Sequence, residues 1–201
     1  MGKFKSMVDT PERLAKFRRK YNFLDDVEVR YFSEDKVIHS RGMGRVVLPL
    51  VAILEGGVRI PISDLLTHFL RHFKVFPDQC TPNIFRVISS IDTLNKRLGL
   101  NLTKHDINYV YCFQDSKTSG YYFKTRHGEV RLISGLPDTD KETERDYLVI
   151  SGNWCCSRTH CPTNVGKAEG PTLKKKRQTI NSIDLNRLLR SPIYPHADGT
   201  L

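Results

Sequence analysis

The 201-residue chain is long enough for one domain of about 150 residues with a tail, and too short for two full domains. Its composition, 39% hydrophobic and 27% charged, predicts a soluble globular protein, and no apolar run approaches the roughly 20 residues that span a bilayer. The net charge of +10 suggests a polyanionic partner, yet half of that excess lies in residues 155–201, where eight Lys/Arg face three Asp/Glu.

The first residues, Met1-Gly2-Lys3-Phe4-Lys5-Ser6, lack the apolar core of a signal peptide; Gly2 and Ser6 fit only a short myristoylation pattern that recurs by chance. Thr10-Pro11-Glu12 then combines a capping hydroxyl, a proline at the first helical position and an early acid, which predicts a helix over Pro11–Tyr21. Arg13, Lys16, Arg18, Arg19 and Lys20 make it basic, and cations late in a helix complement its dipole. Val27-Glu28-Val29-Arg30-Tyr31-Phe32 alternates as a half-buried strand does. The apolar run from Arg45 to Leu54 fits strand or helix; Pro49 disfavours a central strand, so a helix ending at Gly56-Gly57 fits better.

Three helices follow. Ile62, Leu65, Leu66, Phe69, Leu70 and Phe73 form one apolar stripe, and Ile84, Val87, Ile88, Ile91, Leu94 and Leu98 form a second, with Thr81 as cap, Pro82 at the first position and Gly99 as stop. Thr103-Lys104-His105-Asp106 has the form of a capping box ahead of Ile107, Val110 and Tyr111. Tyr121–Arg126 and Glu129–Ile133 read as strands joined across a His127-Gly128 turn, and Tyr147–Ile150 as a third short strand. From Cys155 onward Thr, Asn, Gly, Pro and basic residues predict a disordered or loosely docked tail, with one candidate short helix at Ile183–Arg190.

Tests for chemistry are mostly negative. Asp115-Ser116-Lys117 and Asp198-Gly199-Thr200 both fail the aspartic-protease pattern, and Asp25-Asp26 sits before its strand instead of within one, where a two-metal polymerase site needs it. There is no phosphate-cradling glycine loop, zincin motif or nucleophile elbow. The loop bearing Asp138, Asp140, Glu142 and Glu144 lacks the glycine and terminal bidentate Glu of a calcium loop. Cys155, Cys156, His160 and Cys161 are the sharpest zinc candidates, but adjacent cysteines rarely ligate one ion, so they read as tail thiols. The five cysteines, with Cys80 and Cys112, fit a reduced intracellular protein, nuclear or cytoplasmic. His68 and His72 share a helix face at i, i+4; with no adjacent Glu and no third ligand in view they read as boundary residues.

Two features point to nucleic acid. Lys174-Lys175-Lys176-Arg177 is a compact basic run of the kind that contacts phosphates or directs nuclear import. Tyr121, Tyr122 and Phe123 beside Lys124 and Arg126 have the composition of a stacking platform, although strand alternation sends at least one face of them into the core.

Six elements in order carry a family resemblance: Phe17-Arg18-Arg19-Lys20-Tyr21 with Asp26-Val27-Glu28-Val29-Arg30; Gly57-Val58-Arg59-Ile60-Pro61-Ile62; Gln79-Cys80-Thr81-Pro82-Asn83; Gly120-Tyr121-Tyr122-Phe123; Ile133-Ser134-Gly135-Leu136-Pro137; and Ser151-Gly152-Asn153-Trp154. Over residues 15–154 the chain resembles the plant gypsy-type transposon domain family, also called the gypsy-type transposase domain. The resemblance implies a retroelement origin and supplies no catalytic residues. The sequence therefore predicts a single, mainly helical α+β domain over residues 1–154, with a small antiparallel sheet, and a disordered basic tail over residues 155–201. The expected function is non-enzymatic contact with protein or nucleic acid, with no cofactor, no metal and no membrane association. Sequence-tolerant DNA or RNA binding through the tail and N-terminal helix is the main alternative, and a degenerate transposase or nuclease the other.

Overall fold

Three segments distant in sequence share one antiparallel sheet. In the computed structural model, which describes residues 2–33, 44–116, 120–126, 128, 130–137, 146–155 and 180–190, strands β1 (Val27–Ser33) and β2 (Arg45–Pro49) flank a central strand, β5 (Asp146–Gly152). The register sets Val29 and Val46 opposite Ile150, and Tyr31 and Leu48 opposite Leu148. Because side chains alternate across a strand, these residues line one face against the main core. The other face is apolar too, with Val47, Tyr147 and Val149 buried beside Phe32.

A second sheet pairs β3 (Tyr111–Asp115) with β4 (Tyr121–Thr125), setting Phe113 opposite Phe123. Those rings pack with Phe69 and Phe73 of α3 (Asp64–Phe73) at centroid separations of 4.8–5.5 Å. Ser63 caps α3 through its hydroxyl. Helix α4 (Pro82–Leu98) lies on the same core with Ile84, Phe85, Val87, Ile88, Ile91 and Leu94 buried, and ends at Gly99, whose φ of 61° suits glycine. Thr81 occupies the cap position but its side chain makes no capping bond; its N–H instead donates to the Tyr121 carbonyl, joining α4 to β4. Helix α5 (Lys104–Val110) has the expected capping box, built from Thr103 and Asp106. Helix α1 (Pro11–Lys20) starts as predicted, with the Thr10 hydroxyl accepting from the Arg13 N–H.

The domain is mixed α+β with two antiparallel sheets, not mainly helical. Helix was overestimated at two places. Arg45–Leu54 splits into β2 and the short helix α2 (Leu50–Leu54), with Pro49 ending the strand. Tyr111, counted into the stripe of α5, begins β3. Residues of β2 and β5 are buried on both faces and so read as continuous apolar runs without the period-2 signal. β4 pairs with β3 and not with Glu129–Ile133; residues 130–137 are irregular, and His127 and Glu129 lie outside the described residues.

Within the region expected as a tail, α6 (Ser182–Arg190) docks on the domain through buried Leu185 and Leu188. Asn181 donates its backbone N–H to the Asp106 carboxylate at 2.7 Å, and Asn101 donates its own to Asp184 at 2.9 Å. Lys174, Lys175, Lys176, Arg177, Cys156, His160, Cys161 and the acidic residues 138–144 lie outside the described residues. No described helix is long and apolar enough to cross a membrane.

Candidate nucleic-acid interface

Helix α1 is anchored by one ring. Phe17 is buried, and Tyr21 packs on it with ring centroids 4.5 Å apart. Arg13, Lys16, Arg19 and Lys20 are all exposed: Arg19 lies on the side opposite Phe17, while Arg13 and Lys20, four and three residues from it, flank it on its own face. Arg13 pairs with Asp9 at 2.8 Å, and Arg18 donates to the Leu24 carbonyl. Lys16, Arg19 and Lys20 make no ion pair among the described residues.

The patch gains a fourth cation from a different element. In Gly57-Val58-Arg59-Ile60-Pro61-Ile62, Val58, Ile60 and Ile62 are buried and Arg59 is exposed. The Arg59 guanidinium stands 5.8 Å from the centroid of the Tyr21 ring, and the Lys20 ammonium 5.5 Å from the same ring. Such cation–ring contacts hold the charge near the surface at about 0.5–1 kcal/mol when exposed. Lys20 and Arg59 thus share one tyrosine, with Lys16 and Arg19 exposed on the same helix. Glu12, Asp25 and Asp26 are exposed in the same stretch, so the face is basic in balance and not uniformly so.

The aromatic strand does not form a broad stacking platform. Tyr121 and Phe123 belong to the core, with Tyr121 stacked on Phe113 at 5.0 Å. Tyr122 alone faces outward, half-buried, its hydroxyl donating to Gln114 across the hairpin. Lys124 and Arg126 are exposed, but Arg126 is committed to Asn108 and to the Tyr111 carbonyl.

The buried polar groups are structural. Asp106 accepts from the Thr103 N–H and hydroxyl and from Asn181. Asp146 accepts from the Phe4 N–H and from the Tyr31 hydroxyl, both at 2.7 Å. Burial, then the hydrogen bond and charge of Asp146, push the Tyr31 phenol well above its ordinary range. Tyr111 uses its hydroxyl oxygen to accept from the Leu132 and Ile133 N–H groups; burial raises its phenol, and those two bonds oppose the rise. Cys80 is fully buried, which raises its thiol too far for nucleophilic use. Cys155 is disulfide-bonded, in contrast to the free thiol expected there. Asp25 and Asp26 are exposed ahead of β1, and no group of three or more His, Cys, Asp or Glu converges on a metal position among the described residues.

His72, read from the sequence as a boundary residue, has a ring neighbour from another element. Its ring lies against His105 of α5, edge to face, with centroids 5.5 Å apart. Neither this juxtaposition nor the approach of Arg59 to Tyr21 has a local sequence signal, because each joins elements more than 30 residues apart. Comparison of the chain with protein-family models, with curated proteins and with solved structures found no match in any of the three.

Proposed function

We propose that the chain is a retroelement-derived, non-enzymatic interaction domain that binds nucleic acid without sequence preference through the outer face of α1 and Arg59. The observation that carries this reading is the meeting of Lys20 and Arg59 on the Tyr21 ring, with Lys16 and Arg19 exposed on the same helix and none of the four ion-paired to a carboxylate among the described residues. Unpaired surface cations are free to displace the counterions of a phosphate backbone, and that release drives sequence-independent binding. The retroelement origin rests on the six ordered sequence elements that resemble the plant gypsy-type transposon domain. The basic run Lys174–Arg177 is a second, separate source of phosphate contacts.

Fluorescence anisotropy with a mixed-sequence single-stranded oligonucleotide, from 50 to 200 mM salt, tests this. Four phosphate contacts predict a log–log salt slope of about −3, since each contributes roughly −0.7 on a single strand. Replacing Lys16, Arg19, Lys20 and Arg59 with Gln should flatten that slope, and replacing Lys174–Arg177 should do so independently. Affinity untouched by the first set of changes would remove α1 from the interface.

A further inference from the structure

We infer that β1 is a self-docking edge: a second copy of this chain adds its own β1 in antiparallel, making the two three-stranded sheets continuous. β1 lies at the end of the strand order and pairs only with β5. After Val27, whose N–H donates to the Leu24 carbonyl, no backbone group of β1 bonds anything but β5 among the described residues. Alternate residues of an antiparallel edge strand turn both N–H and C=O outward, so β1 offers a row of open donors and acceptors.

The charges on β1 select the partner and the register. Glu28 and Arg30, two residues apart, share one face of the strand, and both side chains are 71% exposed. A two-fold axis at Val29 sets that residue opposite its own copy, Glu28 opposite Arg30 of the second copy, and Arg30 opposite Glu28 of the second copy. Opposite charges directly across a ladder attract, and the symmetry makes the contact twice. Moving the axis to Glu28 would oppose two glutamates, and moving it to Arg30 would oppose two arginines, both unfavourable. Charges that keep an edge strand from pairing at random thus admit one partner in one register, this strand itself. The same pairing sets Val27 opposite Tyr31, both of which face the main core, so the two copies keep their cores on the same side of the joined sheet. Within one copy Glu28 and Arg30 approach each other only at 3.8 Å, a loose exposed pair that costs little to exchange for a partner across the ladder.

Sedimentation velocity of the full chain across the micromolar range, without nucleic acid, reads self-association and does not depend on the proposed nucleic-acid role. A dimer is expected. Glu28→Arg and Arg30→Glu should each weaken it by roughly ten- to hundredfold, since each turns two attractive pairs into two repulsive ones. An equimolar mixture of those two variants should recover it, because their charges are complementary at both positions, and so should Glu28→Arg and Arg30→Glu combined in one chain. Both positions are exposed, and circular dichroism of each variant separates lost association from unfolding. Hydrogen exchange should protect alternate amides of Val27–Ser33 as concentration rises. A chain that stays monomeric, a dimer indifferent to both reversals, or a mixture that fails to recover would each overturn the proposal.

Discussion

The Asn83 side-chain amide donates to the Pro137 carbonyl oxygen at 2.9 Å, tying together two sequence elements 54 residues apart. The same side chain accepts from Arg86 at 2.7 Å, and Arg86 continues to Glu55, which Lys3 also reaches. The Thr-Pro-Asn element that begins α4 is thus fastened to the Ser-Gly-Leu-Pro segment. Both act as parts of one scaffold.

Asn83→Ala should destabilise the domain by about 0.5–1.5 kcal/mol, the usual worth of a solvent-accessible hydrogen bond. Asn83→Asp should cost more, because a carboxylate would face the Pro137 carbonyl oxygen with no donor to offer. Urea denaturation of the two variants checks the order.

Asp106 serves two elements, capping α5 and receiving Asn181 ahead of α6. Asp106→Ala should cost more than Asn83→Ala, about 2–4 kcal/mol, since hydrogen bonds to a buried charge are the stronger kind. Hydrogen exchange should show faster opening of α6 with the three-stranded sheet still protected. Equal protection loss in both would mean that α6 is not a separable unit.

Stability should fall in alkali. The phenols of Tyr31 and Tyr111 are raised in the folded state, so the folded chain holds protons that the unfolded chain releases. Their contribution is complete below the unfolded phenol value of about 10 and is lost as pH rises toward the folded values, at up to about 1.4 kcal/mol per pH unit for the buried Tyr111 and less for Tyr31, whose partial exposure lets solvent screen its charge. Cys80, raised as well, begins the decline from about pH 8.5. Tyr31→Phe should make the slope above pH 10 shallower by one proton and lower stability at neutral pH, because Asp146 loses a donor. Denaturant melts from pH 7 to 11 give both readings.

Gly120 precedes β4 with φ of 88°, and a Cβ there would run into the Gln79 carbonyl. Gly120→Ala should therefore cost more than the about 1–2 kcal/mol of left-handed backbone alone. It should also disturb the bond from the Thr81 N–H to the Tyr121 carbonyl, visible as faster exchange of the Thr81 amide.

Helices were legible where a stripe and its caps agreed. Thr10, Thr103 and Gly99 each marked a boundary that the fold keeps. The period-2 strand signal was legible where one face meets water, as with Glu28 and Arg30 in β1. Tyr147 to Ile150, buried on both faces, gave a strand without its central place, and Tyr111 followed helical spacing into a strand because its hydroxyl is needed at Leu132 and Ile133. In the candidate interface, the basic face of α1 could be read locally. Arg59 could not, since only the burial of Val58 and Ile60 on either side turns it toward Tyr21.

The central position of β5 sets an order of events during synthesis. β1 and β2 do not pair with each other, and every ladder bond that either makes in that sheet is to residues 146–152. A nascent chain lacking those residues holds two strands with nothing between them, so the sheet closes late, over a loop of more than 100 residues from β1. Long-range closure of this kind slows folding and leaves strand edges open to other chains in the interval. The emergence of residues 146–152, and not that of the helices, is the point at which these strand edges can be covered.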